Sequence, residues 1–133
     1  MRGDVSRRDI DRLYKYSLII LSRQEVDMEH EWRVKRPVLH LFNQGKELEI
    51  RVKARFFEDV RPGDSIVFNQ EVRRRVIAVR RYSSFKEMLG NEDVQKILPG
   101  RSASETLILL QQIYPFEQER RGVYVFELAR EVT

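Results

Sequence analysis

The chain has 133 residues, 41% of them hydrophobic and 35% charged, with a formal net charge of +4 and no cysteine. That length fits one domain with a modest core, and the missing thiols exclude disulfides, Cys-ligated zinc, iron–sulfur clusters and thiol catalysis. Aliphatic runs such as Leu18-Ile19-Ile20-Leu21 fall far short of the roughly 20 residues a membrane span needs, and the acid-bearing N-terminus has no apolar signal core, so a cytoplasmic protein is expected.

Residues 1–30 read as a helical extension. Ser6 suits an N-cap with Asp9 three residues on, and Ile10, Leu13, Tyr14, Leu18 and Leu21 follow at helical spacing. Residues 22–30 look like a polar connection, and the domain proper is expected over 31–133. Glu31–Lys35 suits a short strand. Pro37 opens a short helix with Val38, Leu39, Leu41 and Phe42 as its apolar face and Gly45 as its stop. The clearest strand follows: Leu48, Ile50, Val52 and Ala54 alternate with Glu49, Arg51, Lys53 and Arg55. Pro62-Gly63-Asp64 is a turn, and Ser65–Phe68 and Val72–Tyr82 are two strands joined through Asn69-Gln70-Glu71.

Ser83 or Ser84 can cap a short helix carrying Phe85, Met88 and Leu89, ended by Gly90. A second short helix is expected over Glu92–Leu98. A longer one, capped by Ser102 or Ser104, runs to Ile113 and stops at Tyr114-Pro115. Gly122–Ala129 is a closing strand. Strands and helices do not alternate regularly, which argues for a small α+β fold with a curled sheet or barrel, not a doubly wound sheet.

The charge is regional. Residues 1–30 are neutral, residues 31–86 carry +7 and residues 87–133 carry −3. A local basic surface is the footprint of a polyanion binder, or else a solvated, heat-stable face. Strand alternation puts Arg73, Arg75 and Arg81 on one side, with Arg74 and Arg80 on the other, unless a bulge intervenes. No Gly-rich phosphate loop is present. His30 and His40 alone do not make a metal site, and no cofactor is expected.

One set of segments stands out in order and spacing: Gly45-Lys46-Glu47-Leu48-Glu49-Ile50-Arg51, then Gly63-Asp64 with its apolar strand and Asn69, then Tyr82 with Phe85, then Tyr114-Pro115. Over about residues 31–130 the chain resembles the ASCH domain family of the PUA-like superfamily. Lys46, Glu49 and Arg51 fit that family's Lys-x-x-Glu-x-Arg pattern, although the Gly usually two residues before the Lys is Gln44 here. The resemblance implies a small PUA-like β-barrel flanked by short helices, with a cleft between them, and an RNA-associated role.

On that reading the partner is RNA or a nucleotide. Lys46, Arg51, Lys53, Asn69, Tyr82 and Tyr114 are its candidate binding residues. Arg51 and Lys53 would contact phosphate, and Tyr82, Phe85 and Tyr114 could stack a base unless they belong to the core. Glu49 could accept from a base edge or hold Arg51. Some family members resemble hydrolases of acetylated cytidine, which use a Lys-x-x-Thr strand and a late Glu. Lys46 and Glu105 match these, but Glu49 stands at the Thr position. Lys46, Glu49 and Glu105 are therefore the candidate catalytic set for an alternative reading as a small hydrolase of RNA or a modified nucleoside. A third reading is a protein-interaction module docked through the N-terminal helix. A monomer without membrane association is favoured.

Overall fold

A computed structural model describes residues 27–54 and 59–130. The helix expected between Ser6 and Leu21 lies outside the described residues, as does Arg55. Among the described residues no helix is long and apolar enough to cross a membrane. The fold is α+β. Strands β1 (Glu29–Trp32), β2 (Leu48–Val52), β3 (Ser65–Phe68), β4 (Val72–Tyr82) and β5 (Val123–Leu128) form one sheet in the order β1-β3-β4-β5-β2. β1 runs parallel to β3 and every other neighbour is antiparallel. The helices are α1 (Arg36–Leu41), which runs into a 3-10 turn at Phe42–Gln44, then α2 (Phe85–Leu89), α3 (Val94–Ile97), α4 (Ala103–Ile113) and α5 (Phe116–Glu119).

Most elements start and stop where local chemistry says they should. Pro37 opens α1, and Gly45 ends the 3-10 turn at φ 109°, a conformation open to glycine. The Ser84 side chain caps α2, Asp93 caps α3, and Ser102 forms a reciprocal capping box with Glu105 on α4. Three details differ from expectation. The first strand begins at Glu29, inside the stretch read as connection, because its backbone pairs with β3 and His30 is buried against Asp64 at 2.9 Å. The helix α5 was not anticipated; its Glu119 carboxylate is buried and accepts from the Phe85 amide at 2.7 Å, tying α5 to the start of α2. A bulge between Val76 and Ala78 shifts the parity of β4. As a result Arg74 and Arg81 share a face, opposite Arg73, Arg75 and Arg80; Arg81 does not group with Arg73 and Arg75 as simple alternation requires.

Two cores lie on the two faces of the sheet. On one, Leu48, Ile50, Val52, Val123 and Val125 pack under Phe85, Met88, Ile97 and Leu110 of the helical layer. On the other, Ile66, Phe68, Val76, Phe126 and Leu128 close over Leu39 and Phe42. Apolar burial on both faces of β5, and on one face of β2, is what holds the helices to the sheet. The sheet curls strongly: Trp32 on β1 stands edge-on to Phe126 on β5, centroids 5.0 Å apart, although two strands separate them.

Curling does not complete a barrel. Among the described residues β1 and β2 are the two edges of the sheet and share no ladder. A side chain bridges them instead. The Arg51 guanidinium lies 4.4 Å from the Trp32 ring centroid and donates to the Arg33 carbonyl at 3.1 Å. A strand of four residues that turns at once into α1 leaves no backbone to pair with β2. The expected closed barrel is therefore an open, curled sheet with one gap.

Candidate functional site

The gap between β1 and β2 opens into a cleft of about 810 Å³. Its walls are the segment Arg33–Lys35, α1, the turn Ile97–Arg101 and the C-terminal half of α4 with Tyr114; Lys46, Glu49 and Arg51 line it from the β2 side. Among the described residues Arg33, Lys35, Lys46, Arg51 and Arg101 line it with a single carboxylate, Glu49, while Pro37, Val38, Leu41, Leu98, Ile113 and Tyr114 make much of the rest apolar. Apolar walls with a few convergent polar groups are the usual form of a small-molecule or single-base site.

The two charged residues of β2, Glu49 and Arg51, are wired together with Lys46, which precedes the strand. Lys46 is buried, and its Nζ donates to the carbonyls of Leu48 at 2.7 Å and Ile97 at 2.9 Å and sits 3.2 Å from Glu49 Oε1. Three N–H groups thus meet three oxygens. Burial pushes the Lys46 pKa below the ordinary lysine value, with Glu49 pulling the other way. On its other side Glu49 accepts from Arg51 Nε at 2.9 Å through Oε2. The charged face of β2 is buried at Glu49 because the curl carries Trp32 and Phe126 across it.

Tyr114 ends α4 and packs against Phe85, ring centroids 6.0 Å apart. Burial raises its pKa, and both Arg51 and Glu49 are close enough to act on it electrostatically. Its hydroxyl makes no hydrogen bond among the described residues. A partly buried phenol facing a charged pair without a partner is a group waiting for one.

The remaining candidates lie elsewhere. Lys53 is exposed just past the end of β2, two residues after Arg51, and does not line the cleft. Asn69 does not line it either: its amide clasps Val34, accepting from the Val34 N–H at 2.9 Å and donating to the Val34 carbonyl at 2.8 Å. It therefore positions the 33–35 wall. Tyr82 faces the helical layer, where its hydroxyl donates to Glu92 at 2.5 Å; that bond, then burial, raises its pKa. Phe85 is fully buried core. Glu105 is exposed, with its carboxylate turned back onto the Ser102 amide at 2.9 Å. Its pKa is lowered by that capping bond. Lys46, Glu49, Arg51 and Tyr114 are thus brought together, and Glu105 is not among the residues lining their cleft.

Sequence reasoning missed Arg33, Lys35 and Arg101 as cleft residues, since nothing local distinguishes them from other surface cations. Trp32 was also missed, although a lone Trp just before a proline-initiated helix was available as a signal.

The chain is similar to the archaeal hypothetical protein PH0355, known from a crystal structure: 32% identity over 78% of this chain and all of that one, with a TM-score of 0.72. It is similar too to PF0455 from Pyrococcus furiosus, known in solution, at 33% identity over 76% of this chain and 96% of that one, with a TM-score of 0.64. No protein-family model and no curated protein matches the chain.

Proposed function

The chain belongs to one family with PH0355 and PF0455, and from the chemistry of its cleft we propose that it binds RNA or a nucleotide, as an ASCH-like, PUA-like module. An unpaired base enters between the Arg33–Lys35 wall and the Leu98–Ile113 wall. The phosphate stays at the basic rim. The single observation that carries this reading is the cleft itself, where apolar walls surround a buried, charge-paired carboxylate under a rim of cations. Arg51 has guanidinium N–H groups left over after its bonds to Glu49 and Arg33, and these suit a phosphate oxygen.

The hydrolase reading has less support. Each Lys46 N–H already has an oxygen partner, and Glu105 is engaged at the start of α4. A lysine with no free N–H and no neighbouring hydroxyl nucleophile has nothing to activate.

Titration with single-stranded RNA and with nucleoside monophosphates at several salt concentrations tests the proposal. Binding should weaken with salt, and Arg51→Ala should lower affinity for every sequence by about tenfold. Absence of binding at low salt to any RNA or nucleotide would overturn it.

A further inference from the structure

Resting on that reading, we infer that the cleft selects guanine, and that Glu49 is the residue that reads it. Among the described residues Glu49 is the only carboxylate lining the cleft. Lys46 holds one of its oxygens at 3.2 Å and Arg51 holds the other at 2.9 Å, so the group is fixed in place between two basic side chains. An ionised carboxylate only accepts hydrogen bonds. Each oxygen has two lone pairs, and each is used once here, so one acceptor position per oxygen is left.

A rigid pair of acceptors asks for a rigid pair of donors. Among the common bases, guanine alone presents two adjacent N–H donors on its pairing edge, the ring N1–H and the 2-amino group. Adenine and cytosine each set a ring-nitrogen acceptor beside their amino group. Uracil flanks its one N–H with two carbonyl oxygens. Each of these would bring an acceptor against a buried anion, a repulsive contact that gives specificity by penalising the wrong ligand. Guanine also carries O6 beside N1, an acceptor that needs a donor next to the carboxylate. Two donors are at hand: the unused guanidinium N–H groups of Arg51, and the Tyr114 hydroxyl, which has no partner among the described residues. Two acceptors on Glu49 with one of these donors beside them would complement the donor, donor, acceptor edge of guanine.

The full chain should be titrated with GMP, IMP, AMP, CMP and UMP. A bidentate carboxylate contact predicts that GMP binds about tenfold or more tighter than AMP, CMP or UMP. IMP, which lacks only the 2-amino group, should bind several-fold weaker than GMP. Glu49→Gln keeps the shape but replaces one acceptor with a donor, and it should abolish the GMP preference, weakening GMP while relieving the repulsion that excludes AMP. Thermal melting of the variant reports whether it folds; if it does not, the IMP comparison decides on the unaltered protein. Equal binding of all five nucleotides would overturn guanine selection and leave nucleotide binding standing. Binding of none would remove the underlying reading and this inference with it.

Discussion

Two clusters built on arginine and glutamate side chains from opposite faces of the sheet, each with a tyrosine, differ in whether they are finished. In the first, Arg80 donates to Glu92 at 2.6 and 2.8 Å and to Glu127 at 2.7 Å, and Tyr82 donates to Glu92 as well. The bonds are made within the protein. In the second, Lys46, Glu49 and Arg51 are paired, yet they line a cleft and face a phenol without a partner. Composition alone would rank the two equally as binding sites. What separates them is unspent hydrogen-bonding capacity at a place a ligand can reach.

The largest effect should come from unpairing the buried ammonium. Glu49→Ala leaves Lys46 with two carbonyls and no counter-charge, and breaking a buried pair from one side costs about 3–5 kcal/mol. The same truncation at Glu92 should cost less, about 1–3 kcal/mol, because Arg80 is about a third exposed and water can replace the lost partner. Urea unfolding of the two variants measures the difference. Equal losses would break the distinction between a buried pair and a half-solvated one.

The finished cluster also makes a prediction about acid. Burial pulls the Glu92 pKa up, but the bonds from Arg80 and Tyr82 outweigh it and bring it below the ordinary carboxylate value. A lowered pKa contributes stability that is present above about pH 4.5 and is lost as pH falls through the lower, folded value. Glu92→Gln should therefore flatten the acid limb of stability measured between pH 6 and 3, with nucleotide affinity at pH 7 unchanged. A change in affinity would mean that the two faces communicate.

Asn69 probes the wall of the cleft, not its chemistry. Its two bonds hold Val34 in place, and its own backbone is left-handed at φ 54°. Asn69→Ala should cost about 1–2 kcal/mol from the lost bonds and about 1 kcal/mol more from the strained backbone. Asn69→Gly escapes the second part. Both should weaken nucleotide binding by a similar factor if the clasp is what matters; a loss only in the alanine variant would assign the effect to strain.

These contrasts also show what a sequence reveals about such a molecule. Element positions were legible because their signals are local: Pro37 and Gly45 around α1, Ser102 and Glu105 at the start of α4, and the alternation of Leu48, Ile50 and Val52. The Lys46–Glu49–Arg51 strand was legible for the same reason. Tyr82 and Tyr114 were not distinguishable, because only the fold decides that one hydroxyl meets Glu92 and the other meets open space. The parity of β4 was lost at a bulge that Val76-Ile77-Ala78 does not announce. The open edge between β1 and β2 depends on pairing between distant segments, which no local pattern encodes.

The smallest effect concerns where the basic charge works. Part of the +7 in residues 31–86 is offset by acids outside that segment: Arg73 pairs with Glu29, and Arg80 with Glu92 and Glu127. Arg33 and Lys35 line the cleft and have no ion-pair partner among the described residues. Lys53 lies exposed just beyond the end of β2. If an RNA strand leaves the cleft along that edge, Lys53→Ala should reduce RNA affinity a few-fold, lower the salt slope by about one and leave GMP binding unchanged. Arg75→Ala, on exposed β4 surface, should change none of these. An equal loss from both would mean that charge acts over the whole surface, and the cleft would then set which base is chosen without setting where the strand runs.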